Sequence, residues 1–518
     1  MGNLTPELAA FRDETRDLAK SYGLDFYEVI FELVDYDELN MIASYGGFPT
    51  RYPHWRFGME YEQLSKSYAY GLSKIYELVI NNDPCYAYLM RSNALTEQKL
   101  VMAHVYGHCD FFKNNAWFSH TSRKMMDVMA NHGARIRRYM DRHGQERVED
   151  FIDLVHSLDN LIDPYSPYFD RGTSRRRSAR QGEEAAQREV KKIAAKDYMD
   201  RYINPPEFLA RERARIEREE QQSRQFPARP ERDVLKFLLD YAPLETWEQD
   251  VLAMLREEAY YFAPQGMTKI MNEGWAVFWH SLLMTRHLCD ATEIVNYCDT
   301  HSGTLGTSPG QLNPYKLGVE LFRDIEQRWN TGKFGLEYQS CDDPEVRKHW
   351  HKPTNEGRAK IFEVRRIYND ITFVDEFVTP EFAEAQKMFV YGQDPSTGEI
   401  VIVDRDYRVV KTQLLEALTN HGNPIIKVVD ANHRNRGELY LVHQWVKGDL
   451  QLDEAMLTLK GLYQMWKRPV HIETVQDGKG RLLSFDGEEA TTTEVTSSHP
   501  VTGRVGVAVG KEAGEDEG

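Results

Sequence analysis

No stretch of the 518-residue chain holds about 18 consecutive apolar residues, the length a helix needs to cross a bilayer core, so no membrane span is expected. The start, Met1-Gly2-Asn3-Leu4-Thr5-Pro6, lacks the basic and apolar regions of a signal peptide. Pro6 stands where a myristoylation pattern needs Ser or Thr. The five cysteines (Cys85, Cys109, Cys289, Cys298 and Cys341) are odd in number, scattered and without a C-x-x-C pair. Reduced thiols and a cytoplasmic location are therefore expected. A surplus of basic charge is also missing. Sixty-four Lys and Arg face 81 Asp and Glu, a net charge of −17, which argues against a general nucleic-acid binder. What remains is ordinary globular composition, 41% hydrophobic and 28% charged, with chain enough for two to four domains.

One stretch carries a chemical pattern. Leu95 to Phe112 reads as a helix and contains His104 and His108. Four residues is close to one helical turn, so the two imidazoles share a face and can hold one divalent metal, as in H-E-x-x-H zinc proteases. The catalytic glutamate of that motif is missing, because Val105 follows the first histidine. The competing reading is a hydrogen-bonded core pair. Glu97, two turns before His104, could support a ligand imidazole or simply face solvent.

The chain falls into five parts. Residues 1–169 read as helical, with helices expected at Thr5 to Tyr22, Asp25 to Val34, Tyr61 to Tyr76, Ser122 to Arg142 and Val148 to Leu161. Between them, Phe48 to Glu60 reads as extended chain because of Pro49 and Pro53, and it carries His54 and Glu60 among aromatic residues. It serves either as an anchored connector or as a loop lining a site. Residues 170–232 form a charged, partly disordered insertion opened by Arg175-Arg176-Arg177. Residues 233–352 are helical again. Leu244 to Phe262 carries Glu258 and is closed by Pro264-Gln265-Gly266; Met267 to Cys289 carries Glu273 and His280; His301 follows in a loop. Residues 353–486 alternate short strands and helices, an α+β module. Residues 487–518 read as a disordered acidic tail. The fold class expected is α+β, mainly helical in its N-terminal and central parts.

Four separated segments carry a family resemblance. They are Tyr52-Pro53-His54-Trp55; His104-Val105-Tyr106-Gly107-His108 with Asp110-Phe111-Phe112-Lys113-Asn114-Asn115; Lys269-Ile270-Met271-Asn272-Glu273-Gly274-Trp275-Ala276; and Ser308-Pro309-Gly310-Gln311-Leu312-Asn313-Pro314-Tyr315. In this order they resemble the stage V sporulation protein R (SpoVR) family over about residues 15 to 485. The resemblance implies a bacterial cytoplasmic protein linked to assembly of the spore cortex, a peptidoglycan layer, or to stress physiology. It implies a PrkA-type serine kinase and a protein with a von Willebrand-type domain as associates. It assigns no chemistry.

Asn272-Glu273-Gly274-Trp275-Ala276 is also similar to the N-E-G-x-A segment of gluzincin aminopeptidases, where the glutamate is the third zinc ligand. That likeness, on a zincin-like helix pair, implies His104, His108 and Glu273 as ligands of a divalent metal, zinc being the expected ion. The fourth position is then open. A base would replace the missing glutamate, with His280, Glu258, Glu60 and His54 as candidates. His301 is a further ligand, an oxyanion donor or a surface histidine. Two readings follow: a metal-dependent amide-bond enzyme acting on peptidoglycan peptides or precursors, or a non-catalytic metal-stabilised scaffold that acts with the kinase. The scaffold reading expects a closed site with a fourth side-chain ligand.

Overall fold

The computed structural model describes residues 4–69, 78–169, 226–308, 310–394, 397–446 and 448–496, with 199, 205–208, 210–211 and 215 between them. The Arg175 to Arg180 run, most of the 170–232 insertion, the 70–77 part of the expected helix and strand there, and the tail beyond 496 lie outside the described residues. The architecture is α+β. The chain forms two compact units, residues 1–150 with 257–422, and residues 151–256 with 423–518.

In the first unit the histidine helix, Leu95–Asn114, is buried on nearly every side from Thr96 to Phe112. A helix buried all round belongs at the centre of a unit rather than on its surface, and its buried polar residues, Lys99, His104, His108 and Asp110 among them, find partners there. It packs on the Glu273 helix, Lys269–Leu283, which packs in turn on Pro314–Asn330. Small residues set both spacings. A Cβ placed on Gly107 would lie 2.7 Å from Ala276 Cα, and one on Gly274 would lie 2.4 Å from Gly318 Cα. The three backbones are thus in direct contact, and any side chain at these glycines would push them apart.

Two buried carboxylates tie the helices to chain far away in sequence. Asp110 accepts from Trp275 Nε1 at 2.8 Å and from the Asp25 backbone N–H at 2.8 Å, and its carboxyl is pushed up to about 6 by burial. Asp370 accepts from the backbone N–H groups of Ile270 and Met271 at 2.8 and 2.9 Å. Thr268 makes no side-chain cap, so Asp370 satisfies the open end of the Glu273 helix from another element. Burial pushes that carboxyl up to about 7.

A three-stranded sheet of order β1-β3-β2 lies in the same unit, with β1 at Val29–Val34, β2 at Leu78–Ile80 and β3 at Cys85–Met90. β1 runs parallel to β3, and β2 antiparallel. The helix expected over Asp25 to Val34 is therefore corrected to a strand from Val29. Its alternate residues Val29, Phe31 and Leu33 are buried, a period of two rather than 3.6. The extended reading holds only to His54, since a helix begins at Trp55 and runs to Ala69. The helix Thr246–Met267 continues through Pro264 instead of ending there. A two-stranded sheet, β4 at Val390–Gln393 with β5 at Ile400–Asp404, comes late in the unit.

The second unit holds a five-stranded sheet of order β10-β9-β8-β7-β6. Its strands are β6 (Ile426–His433), β7 (Glu438–His443), β8 (Val470–Gln476), β9 (Lys479–Phe485) and β10 (Ala490–Glu494). β7 and β8 are parallel, and the helix Leu452–Trp466 makes the crossover that a parallel pair requires. Leu439, Leu441, Val470, Ile472 and Leu483 are fully buried in this sheet. The segment 490–494, expected in the disordered tail, is instead the edge strand paired with β9.

Candidate metal centre

The histidine helix and the Glu273 helix bring His104, His108 and Glu273 together, with one donor atom from each lying within 4.8 Å of the others. Glu273 Oε2 is 3.6 Å from His104 Nε2 and 3.5 Å from His108 Nε2. These separations are too long for hydrogen bonds. They are close to the roughly 3.4 Å that separates two atoms each held about 2.1 Å from one tetrahedral zinc. Glu273 Oε2 is buried without a hydrogen-bond partner, a costly state for a carboxylate oxygen that a cation would relieve. Two imidazoles and one carboxylate are also a donor set suited to zinc. The residues fit the ion.

The far sides of both rings are held. His108 Nδ1 lies 2.9 Å from Asn272 Oδ1, so the amide oxygen accepts its proton and leaves the Nε2 lone pair toward Glu273. His104 Nδ1 lies 2.8 Å from His280 Nδ1, and His280 Nε2 lies 3.2 Å from His301 Nδ1. The matching arrangement has His104 donating to His280 and His280 donating to His301. Burial pushes the His301 imidazole below its ordinary value, which keeps it a neutral acceptor.

A cavity of about 600 Å³ opens over the cluster, lined among others by Glu97, Phe112, Lys269, His280, Thr300 and Tyr315. Its size suits a small ligand or a peptide end. Glu97 also accepts from the Ala94 N–H at 2.9 Å, capping its own helix. His301 stands behind His280, on the helix Ile294–Thr304 rather than in a loop.

The other candidate bases lie elsewhere in the unit. Glu258 is buried between Arg51 Nη2 at 2.6 Å and His132 Nδ1 at 2.9 Å. His54 Nδ1 accepts from the Arg56 N–H at 3.3 Å, and Glu60 pairs with Arg56 at 3.0 Å. None of the three lines the cavity. Asn272, Lys269 and Tyr315 do line it, and sequence reasoning gave them no role although all three fall inside the quoted segments. Their signal was adjacency: Asn272 precedes the glutamate, and Lys269 precedes it by one turn.

An α+β protein with a His/His/Glu cluster on the floor of a cavity is the class that fold and site define. The chain matches the family model described as SpoVR like protein over residues 3–423, and that of the SpoVR-like C-terminal domain over residues 424–477. It belongs to the SpoVR family, as the four segments led one to expect. The seam between the two matches falls one residue from the junction of the compact units at Gly422. Over 506 residues the chain is 28% identical to an Escherichia coli (strain K12) protein carrying the name uncharacterized protein YcgB, covering 92% of this chain and 93% of that one. No solved structure matches the chain. No helix among the described residues is long and apolar enough to cross a membrane.

Proposed function

We propose that the chain is a cytoplasmic metal-dependent hydrolase of amide bonds in peptidoglycan peptides or their precursors. His104, His108 and Glu273 hold its single divalent metal, zinc by ligand type. The observation that carries this reading is the convergence of the three donor atoms, two buried imidazole nitrogens and an unsatisfied carboxylate oxygen, on the floor of a cavity. A zinc ion there supplies Lewis-acid polarisation of a carbonyl and a lowered pKa for bound water. Asn272 keeps the proton on His108 Nδ1, and His280 with His301 keeps the proton on His104 Nδ1. The bond from His280 to His104 supports an orienting role for His280, and argues against its being a fourth ligand. Glu97 and Glu273 are the carboxylates that face the cavity. The family's link to the spore cortex supports peptidoglycan as the substrate class.

A second reading, a metal-stabilised scaffold acting with a PrkA-type serine kinase and a von Willebrand-type domain protein, is favoured by Val105. It replaces the catalytic glutamate of the zinc proteases and is fully buried.

Metal content by plasma mass spectrometry tests the shared premise, on protein purified without a His tag or added metal. About one ion per chain is expected in wild type, and none in folded His104→Ala, His108→Ala or Glu273→Ala. Failure to bind metal even on reconstitution would sink both readings. Metal binding without release of any amine from peptidoglycan peptides favours the scaffold.

A further inference from the structure

The cavity over the cluster is lined by one lysine, Lys269, one turn from Glu273. Lys269 opens the Glu273 helix, lines the cavity and is exposed. Among the described residues its ammonium makes no hydrogen bond or ion pair. The buried Lys99 of the same unit, by contrast, is held against Glu293 at 2.8 Å. Lys269 and Glu273 are four residues apart and share one helix face, separated by about one turn or 6 Å along the axis.

We infer that Lys269 is a specificity-determining residue that binds a carboxylate on the residue following the scissile amide, so that the site takes the carboxyl end of a peptide. The inference rests on the hydrolase reading above. Three observations support it. The spacing suits it: a terminal carboxylate lies about one residue length, some 3.8 Å, beyond the carbonyl of the preceding amide. A lysine with a four-carbon stem covers the remaining distance to a carbonyl held at the cluster. The charge suits it as well. Once a dication is bound, the cations facing the cavity outweigh its two carboxylates, Glu97 and Glu273. A half-enclosed cavity then focuses that charge and attracts an anion. Finally, Thr300 and Thr304 line the same cavity; their hydroxyls donate to the backbone carbonyls of Asn296 and Thr300 at 3.0 and 3.1 Å, which leaves their oxygens to accept from a peptide N–H.

The test is binding of N-acetyl-alanyl-alanine with a free carboxylate against its C-terminal amide. N-acetyl-alanyl-aspartyl amide, which carries only a side-chain carboxylate, is the third probe. Affinities are read by calorimetry on zinc-free and zinc-loaded full-length protein, with wild type, Lys269→Gln and Lys269→Arg confirmed as folded by circular dichroism. The expected result is at least a tenfold preference of wild type for the free acid over its amide. Lys269→Gln loses the preference, and Lys269→Arg retains most of it. Equal binding by the aspartyl amide moves the carboxylate from the chain end to a side chain and keeps Lys269 as its partner. Equal binding of acid and amide, an unchanged preference in Lys269→Gln, or no binding of any peptide at millimolar concentration overturns the inference. Zinc stoichiometry on the same samples separates the two proposals. A carboxylate preference that persists in a protein unable to take up zinc leaves Lys269 as the anion site and removes the hydrolase.

Discussion

Gly107→Ala is the substitution most revealing of how the cluster is built. Gly107 sits between His104 and His108 on the face that meets the Glu273 helix. An added Cβ would lie 2.7 Å from Ala276 Cα and 3.2 Å from Ala276 Cβ. Carbon atoms pack at about 3.5 to 4.0 Å, so the helices must part by roughly 1 Å. Overpacking of this kind costs about 1–3 kcal/mol, against which alanine returns about 1 kcal/mol of helix propensity. The expected net loss is up to about 2 kcal/mol. Gly58→Ala is the matched control. It lies in the helix Trp55–Ala69 with nothing within 4 Å of the new carbon, so it is expected to stabilise by about 0.5–1 kcal/mol. The parting also moves both Nε2 atoms away from Glu273 Oε2, now at 3.5 and 3.6 Å, and zinc affinity is expected to fall more than tenfold. Denaturation midpoints and competitive zinc titration of the two variants read both effects. If Gly107→Ala proved as stable as Gly58→Ala and bound zinc like wild type, the close approach of the two helices would be refuted as the basis of the cluster.

Asn272→Ala removes the acceptor that fixes His108, and a 10–100-fold loss of zinc affinity with little loss of stability is expected; an unchanged zinc titration would remove Asn272 from the site. Arg51→Met leaves Glu258 buried beside His132 without its guanidinium, which should cost about 3–5 kcal/mol in urea denaturation while leaving the zinc content of the folded chain equal to wild type; a lower zinc content than wild type in the folded variant would tie that pair to the proposed metal site instead. His443 is buried on β7, bonded to Thr474 Oγ1 at 2.9 Å, and its imidazole is pushed down to about 4 from 6.5 by burial. The unfolded chain binds more protons there, so stability is fully present above pH 6.5 and is lost as pH falls through about 4. His443→Gln is expected to flatten that slope in urea midpoints measured from pH 4 to 7, and identical slopes would exclude His443 as its source.

Helical spacing paired His104 with His108 in the sequence, while Glu273 was named only through its likeness to the N-E-G-x-A segment. His104 and His108 fall one turn apart, and the structure sets them on one face of a long helix opposite Glu273. The general α+β layout was legible because long periodic segments announce helices. Short apolar runs do not. Val29 to Val34 is six residues long, a length at which helix and strand patterns cannot be separated until a partner strand is known. The Thr-rich segment 490–494 has little to bury, and only its pairing with β9 makes it a strand. Partnerships across great sequence distance were hidden for a different reason. Nothing local shows that Glu258 meets Arg51, or that Asp370 caps the Glu273 helix, because each pairing exists only once the chain has closed on itself.

That closure has a consequence during synthesis. His108 and its supporting Asn272 are 164 residues apart in the chain. At roughly 5–20 residues per second, a ribosome needs on the order of 10 to 30 seconds to make the second helix after the first. For that interval His104 and His108 are without Glu273, and Gly107 has no Ala276 to rest against. The His/His/Glu cluster is thus a property of the closed unit, and it exists only once the two helices have met.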